Sequence, residues 1–544
     1  MQEALGLHQQ GRLREAEKLY ARALKAAPNN FDALHLLGLI KAQGGQMGEA
    51  HRLMAAALKI NPNMPDVLIN FANVLHALKR DPEALACLDK AIALRPGDLE
   101  AILYRGNALS ALDRTQEAVS CFDTVLAHNP GRGDALLNRG TAFAKLGRHA
   151  QALADFDTIL AQAPNNADAL YNRATALLDL DRFREAVETF DRVLAHAPQH
   201  AKGWNNRGRA LQALNRHAEA VECFEKALTV DKTYADAHFN LALSLLTLGE
   251  FKRGFAEYEW RWKRTGMSDT RRNYRGRLWL GEFPLGGRTI LLPSEQGLGD
   301  TIQFVRYAAL LARGGAKVVV EVQPELKTLL AGVEGAAACL AHGEPLPAYD
   351  VYCPLGSLPL ALKTELPTIP GGIPYLHADD ARVAQWRSSL EALKGKRIAI
   401  AWAGHSRHAN DRNRSVELKQ LEPLLALEGI SFLSIQRDLR AGDRELLARH
   451  NIVHLGDKLS DMADTAAIVA LADLTIAVDT AVVHLAGALG REAWVLLPYT
   501  PDWRWTLTGE HSPWYPQIKL FRQPTPGDWR AVIASVRDAL LRAT

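Results

Sequence analysis

Two short segments combine residue types that can move a proton and hold an anion. Val478-Asp479-Thr480-Ala481 ends an apolar run with a carboxylate and a hydroxyl, and His484 follows one helical turn later. Where a strand gives way to a helix, the helix dipole and free backbone N–H groups attract negative charge. Thr480 can contact a phosphate there or simply cap the helix, and His484 can reach a ligand or fill the core. The second segment is Gly297-Leu298-Gly299-Asp300. Its glycines permit close backbone approach or a tight turn. Asp300 is the candidate general base, because a carboxylate can take a proton from a hydroxyl. Asp just ahead of a helix is equally a favoured cap.

The loop Gly404 to Ser415 adds positive charge. It carries Arg407, Arg412, Arg414, His405 and His408. Arg can clamp a diphosphate through paired hydrogen bonds. The competing reading is a solvated basic loop. Gln436 and Arg437 end another apolar run and are candidate nucleotide contacts. Pro501-Asp502-Trp503-Arg504-Trp505 and Ser512-Pro513-Trp514-Tyr515 are rich in aromatic rings. Indole faces can stack on sugars or bases, or pack domains together.

These segments need a scaffold of strands. Thr289–Pro293 reads as a buried strand, the glycine loop follows, and a helix is expected over 301–311. Lys317–Val322 is the next strand, which makes a βαβ unit. The pattern restarts at Lys396, with strands over 397–402, 430–435, 474–479 and 493–497 and a helix over 480–489. Two doubly wound halves facing a cleft suit a nucleotide-linked substrate. The break between them is expected near 378–395, giving halves at 288–385 and 386–544.

The first half of the chain is a repeat. Pro28, Pro62, Pro96, Pro130, Pro164 and Pro198 are spaced by 34 residues. Gly38, Ala72, Gly106, Gly140, Ala174, Gly208 and Ala242 keep the same step, as do Phe122, Phe156, Phe190, Phe224 and Tyr258. The small residue lets two helices approach, the aromatic fills the groove between repeats, and Pro ends the second helix. A solenoid with a concave surface follows, over 1–265, with 266–287 as a linker containing Arg271 and Arg272. Cys87, Cys121 and Cys223 share one repeat position and read as packing residues. Asp155, Asp157, Asp179 and Asp181 read as solvated faces, not metal ligands. Asn70, Asn138, Asn172, Asn206 and Asn240 share another position, interrupted by Tyr104. An amide ladder there can hold a peptide backbone without reading its sequence. Asn is also common at that position in such repeats. The helix around Trp260 and Trp262 is expected to cap the array and dock the second half.

Composition sets the limits. The 544 residues are 48% hydrophobic and 23% charged, with a net charge of +3. Wholesale disorder is excluded, and near balance disfavours nucleic acid as the main partner. Five Cys without a CxxC pattern disfavour a disulfide framework or zinc site and suggest a cytoplasmic setting. No apolar run suits a membrane helix. Of 11 Trp, only Trp204 precedes residue 250, so the chain is compositionally two proteins.

The 34-residue pattern resembles the tetratricopeptide repeat. The run Val478 to Gly490, with Gly299-Asp300 after a first strand, resembles the heptosyltransferases of glycosyltransferase family 9. The whole order is similar to bacterial tetratricopeptide proteins carrying such a module. The implied fold is an α-solenoid followed by α/β, a GT-B-like pair of Rossmann-type halves. The resemblance implies a metal-independent, inverting glycosyltransferase needing no cofactor beyond its nucleotide-diphospho-sugar donor. It implies Asp300 as the base facing the acceptor. Gly297, Gly299, Gln436, Asp479, Thr480, Ala481 and His484 are expected on the donor, with Arg414 the best-matching basic residue beside Arg407 and Arg412. Asn138, Asn172, Asn206 and Asn240 are expected on a protein or peptide acceptor. The rival expectation is a non-catalytic interaction scaffold with a degenerate transferase-like domain.

Overall fold

The computed structural model describes residues 1–265, 274–406 and 410–543. Arg407, His408, Arg271 and Arg272 lie outside the described residues. Packing divides the chain into two compact units, Met1–Gln199 and His200–Thr544.

The first unit holds helices running from Gln2–Gln9 to Phe183–His196, each packed against its neighbours in sequence. The proline period punctuates them as expected. The helices ending at Ala26, Ile60, Leu94, His128, Gln162 and His196 each stop two residues before a proline. The turn inside each repeat needs a left-handed residue. Gly11, Gly45 and Gly147 supply it freely, whereas Lys79, Asp113 and Asp181 adopt φ of 61°, 60° and 58°. A Cβ on Gly106 would lie 2.5 Å from the Phe122 ring, and one on Gly140 would lie 2.6 Å from Phe156. The aromatic therefore fills the space inside its own repeat, not the groove between repeats.

The acidic pairs of this unit are not uniformly solvated. Asp155 is buried and receives the Arg139 guanidinium at 2.6 and 2.9 Å. Arg173 pairs with Asp157 at 2.6 Å. In both pairs the arginine stands one place before the small residue; Asp155 is buried by its pair, whereas Asp157 stays exposed.

The second unit opens with four more repeat helices, Ala201–Ala213, His217–Val230, Ala235–Thr247 and Phe251–Tyr258, then a 3-10 turn Glu259–Lys263. The repeat period thus runs past the packing boundary. The last two repeats pack with the α/β body because their apolar faces meet it: Phe251 and Phe255 contact Trp503.

Two parallel sheets follow. The first contains β1 (Arg277–Leu278), β2 (Thr289–Pro293), β3 (Lys317–Val322), β4 (Ala336–Ala341) and β5 (Val351–Tyr352), in the order β1-β5-β2-β3-β4. The second contains β6 (Lys396–Ala401), β7 (Ile430–Ser434), β8 (Val453–His454), β9 (Leu474–Val478), β10 (Ala493–Leu497) and β11 (Ile518–Arg522). Its order, β11-β10-β9-β6-β7-β8, is that of a doubly wound sheet, with the reversal between β6 and β9. Central strands such as β9 and β10 are buried on both faces, which explains their continuous apolar runs.

Three expected boundaries shift. Part of the expected linker is sheet: β1 pairs with β5, and Trp279 and Leu285 are buried. The helix expected over 301–311 is two, Leu298–Phe304 and Tyr307–Arg313. The helix Asp380–Leu390 belongs with the second sheet, since Trp386 Nε1 donates to Asp464 at 3.0 Å and Arg382 pairs with Asp461 at 2.8 Å. The division therefore falls ahead of residue 380, not at 385. No helix among the described residues is long and apolar enough to cross a membrane.

Candidate functional site

A cleft of about 570 Å³ opens at the carboxyl ends of both sheets. From the first sheet it receives the loop after β2, with Gly297, Gly299 and Asp300. From the second it receives the ends of β6, β7 and β9, with Gly404, Gln436 and Asp479. This is the topological switch point, where diverging loops leave room for a ligand.

Asp300 lies in the first turn of the helix Leu298–Phe304, behind the cap residue Gly297. Its Oδ2 accepts from the Gly297 N–H at 2.9 Å. Its Oδ1 accepts from Arg504, which arrives from the loop after β10. The capping and cleft-facing readings of Asp300 thus hold together. Arg504 is buried and also donates to Gln303 Oε1 at 2.6 Å and Asp502 Oδ1 at 2.8 Å. One guanidinium therefore ties the loops of the two sheets across the cleft. No spacing in the sequence marks Arg504, which lies among aromatic residues whose types suggest stacking.

On the other wall, Asp479 ends β9. Burial first, then the neighbouring Asp502 carboxylate, pushes its carboxyl up to about 6, with Arg414 and Arg504 opposing. Thr480 is the cap residue of the helix Ala481–Ala488, yet its side chain makes no capping bond. Its buried hydroxyl oxygen has no hydrogen-bond partner among the described residues. Ala481 lines the cleft beside it. Arg414 donates to the Asp479 carbonyl at 3.2 Å, so it reaches the same corner. Gly404 makes room for it: a Cβ there would lie 2.6 Å from Arg414 Nη2. Ser415 Oγ accepts from the Gly404 N–H at 3.0 Å and donates to Asp411 at 2.7 Å, fixing the loop.

Several expected contacts find other employment. The Gln436 amide accepts from the Trp402 and Ala403 N–H groups at 3.1 and 3.0 Å and donates to the Ala403 carbonyl at 3.0 Å. It borders the cleft but shapes the turn after β6. His484 is buried, lies 3.3 Å from the Tyr515 hydroxyl and stacks on Trp505. Burial, with the Arg504 and Arg306 charges, holds it well below the usual imidazole range, so it is neutral. Its edge meets Gly299: a Cβ there would lie 2.8 Å from His484 Cδ2. Arg412 is exposed and does not line the cleft. Trp503, Trp505 and Trp514 are buried at 3%, 0% and 1% exposure. They pack against Phe251, Phe304 and His484 and offer no open face for sugar stacking. Nor do both tryptophans of the cap dock the body: Trp260 stacks on His238 at 3.6 Å.

The asparagine series is partly consumed by its own neighbours. Asn138 Nδ2 donates to Asn107 at 2.8 Å, and Asn240 Nδ2 donates to Asn205 at 2.9 Å. Asn206 is buried and accepts from Asn205 at 3.2 Å, which argues against a groove-facing role for it. Asn172 is half-buried.

Models of the tetratricopeptide repeat match residues 103–167, 143–210 and 201–234. A model of anaphase-promoting complex, cyclosome, subunit 3 matches residues 9–91. Protein FlbA of Caulobacter vibrioides is 28% identical over 331 residues, which cover 56% of this chain and 54% of that protein. The chain thus spans about half the length of that relative. Among solved structures, YrrB, described as a tetratricopeptide protein with an unusual peptide-binding site, is 26% identical. The match covers 34% of this chain and 95% of that one, with a TM-score of 0.31. MamA from Desulfovibrio magneticus is 24% identical, over 31% of this chain and 96% of that one, with a TM-score of 0.30. The N-terminal helical pairs of this chain are tetratricopeptide repeats.

Proposed function

We propose that this chain is a GT-B glycosyltransferase of the family 9 type, acting from a nucleotide-diphospho-sugar on a protein or peptide acceptor held by the repeats. One observation carries the reading. A carboxylate from each sheet, Asp300 and Asp479, lines a single cleft at the switch point, beside an unpartnered hydroxyl at a helix N-terminus.

The chemistry divides among these groups. Asp300 takes the proton from an acceptor hydroxyl. The acceptor oxygen attacks the anomeric carbon, and the bond to the donor diphosphate breaks with its electron pair leaving on the phosphate oxygen. Thr480, the helix N-terminus at Ala481 and Arg414 receive that charge. Asp479 holds sugar hydroxyls through its acceptor oxygens. The reading calls on no metal ion and no further cofactor, and it sets the reaction in the cytoplasm.

The test is a panel of adenosine, uridine, guanosine, cytidine and thymidine diphospho-sugars, followed by release of free nucleotide. Turnover with one donor, abolished in Asp300→Asn, supports the reading. Neither binding nor turnover with any donor leaves the tetratricopeptide interaction scaffold as the function.

A further inference from the structure

The two loops that meet over the cleft share one bed, the last repeat helix Phe251–Tyr258 with the turn Glu259–Lys263. From the Arg504 loop, Trp503 packs edge-on against Phe251 and Phe255, with ring centres 6.1 and 5.7 Å apart. From the Asp300 loop, the two residues ahead of Gly297 are both gripped. Glu295 Oε1 accepts from Arg261 Nη2 at 3.0 Å and from the Gly356 N–H at 3.1 Å. Gln296 Oε1 accepts from the Tyr258 hydroxyl at 3.1 Å.

Arg261 is the centre of this grip. It is 1% exposed and carries a full charge. Its Nη1 donates to Glu259 at 2.6 Å and its Nη2 to Ser357 Oγ at 2.7 Å, beyond the Glu295 bond. Burying a guanidinium between two carboxylates is costly unless the geometry is good. An apolar residue of the same size would pack this seam without that cost. What the charge adds is direction: it fixes where the Glu295 carboxylate sits, two residues ahead of the Gly297–Asp300 turn.

We infer that Arg261, assisted by Tyr258, is a positioning residue for Asp300, so the last tetratricopeptide repeat is a structural part of the cleft and not only a handle for the acceptor. The inference deepens the transferase reading and rests on it for the kinetic consequence. Its structural half stands by itself. Loosening Glu295 or Gln296 frees the turn that aims Asp300 at the acceptor. The donor wall, built from β9 and the helix Ala481–Ala488, is left unchanged.

The experiment compares full-length wild type, Arg261→Met and Tyr258→Phe. Tyr258→Phe keeps the ring and its packing and removes only the hydroxyl, so it folds where the buried-charge variant fails. Hydrogen–deuterium exchange is followed for 294–304 and, as a control, 474–489. The expected result is exchange about 10-fold faster over 294–304 in either folded variant, with 474–489 unchanged. On a donor with measured turnover, kcat falls about 10-fold and donor KM stays within twofold. Unchanged exchange over 294–304 in folded Tyr258→Phe overturns the inference. So does a rise in donor KM with kcat intact. If wild type turns over no donor, the transferase reading fails, and the exchange result still decides whether the repeat positions the turn.

Discussion

Arg504 and Asp300 are 204 residues apart in sequence and joined directly across the cleft. The guanidinium is almost wholly buried and the carboxylate side chain is 24% exposed. The pair holds the Asp300 turn of the first sheet to the β10 loop of the second. The exposed edge of Asp300 faces the ligand space.

Asp300→Asn keeps the size of the side chain and removes the proposed base. Transfer is expected to fall by about 10²–10⁴, the usual worth of a positioned acid or base. Donor affinity, measured by thermal shift, is expected to stay within a few fold. Arg504→Met acts differently, because it strands Asp300 and Asp502 without their shared cation. Stability of the C-terminal unit is expected to drop by about 3 kcal/mol, at the low end for a broken buried pair because both acids still touch water. Equal stability in Arg504→Met would show that the pair is not formed.

The contact between Gly299 and His484 makes a second prediction. Gly299 does not need a left-handed backbone, so Gly299→Ala carries no conformational penalty there. The added methyl would meet His484 Cδ2 at 2.8 Å and the Ala481 backbone at 3.5 Å. Forcing a methyl into such a space costs about 1–3 kcal/mol. Removing the imidazole should relieve it, so Gly299→Ala/His484→Ala is expected to be more stable than the sum of the single variants. Additive losses in a double-mutant cycle would refute the contact.

The repeats and the strands were legible in the sequence, because each imposes a period: 34 residues, or an apolar run closed by glycine. Asp479 and Thr480 stand out in the sequence because they directly follow a strand, Asp300 because it follows the glycine turn, and Arg414 through the family resemblance; all four line the cleft. Arg504 and Arg261 do not stand out, because their partners lie far away along the chain and no spacing announces them; Tyr258 shows as the aromatic position of its repeat but not as the partner of Gln296. Gln436 and the tryptophans were visible as residue types but not as roles. An amide at a strand end can serve a ligand or a backbone turn, and only the fold shows that Gln436 serves the turn. The 265 boundary followed the period faithfully. The packing boundary differs because the apolar surface of the last repeats, around Phe251 and Phe255, meets Trp503 and Trp514.

The burial of Asn206 narrows the proposed acceptor ladder to its more accessible members. Asn172→Ala is expected to weaken modification of a protein acceptor several fold while leaving donor hydrolysis unchanged. Asn206→Ala is expected to lower stability instead, since Asn206 is buried among Asn205 and Arg209. Equal loss of both activities in Asn172→Ala would remove the ladder from acceptor recognition.

The turn inside each repeat offers a stability test within the first unit. Lys79 holds φ at 61° where Gly45 and Gly147 hold 75° and 72°. A non-glycine residue there costs about 1–2 kcal/mol, partly offset by the entropy glycine loses on folding. Lys79→Gly is therefore expected to stabilise the unit by roughly 0.5–1 kcal/mol, and Gly147→Lys to destabilise it. Urea unfolding of the two variants measures both signs.

Asp479 links stability to pH in the opposite sense to a salt-bridged acid. Its carboxyl is raised to about 6 from an ordinary value near 3.8, mainly by burial. The folded state therefore binds more protons than the unfolded state between about pH 4 and pH 6. Stability falls as pH rises through that window, and the cost is complete above the raised value. A shift of this size corresponds to a penalty on the order of 2–3 kcal/mol at pH 7.5, since one pKa unit is about 1.4 kcal/mol. Asp479→Asn removes the charge and keeps the shape. It is expected to raise the melting temperature at pH 7.5 and to raise it much less at pH 4.5, where the folded wild-type carboxyl is neutral and only the unfolded one is ionised. If Asp479 holds sugar hydroxyls as proposed, the same variant gains stability while losing donor affinity. A variant equally stable at both pH values, or less stable at pH 7.5, would show that the carboxyl is not raised. A gain in stability with donor affinity intact would leave the raised carboxyl standing and take Asp479 off the donor.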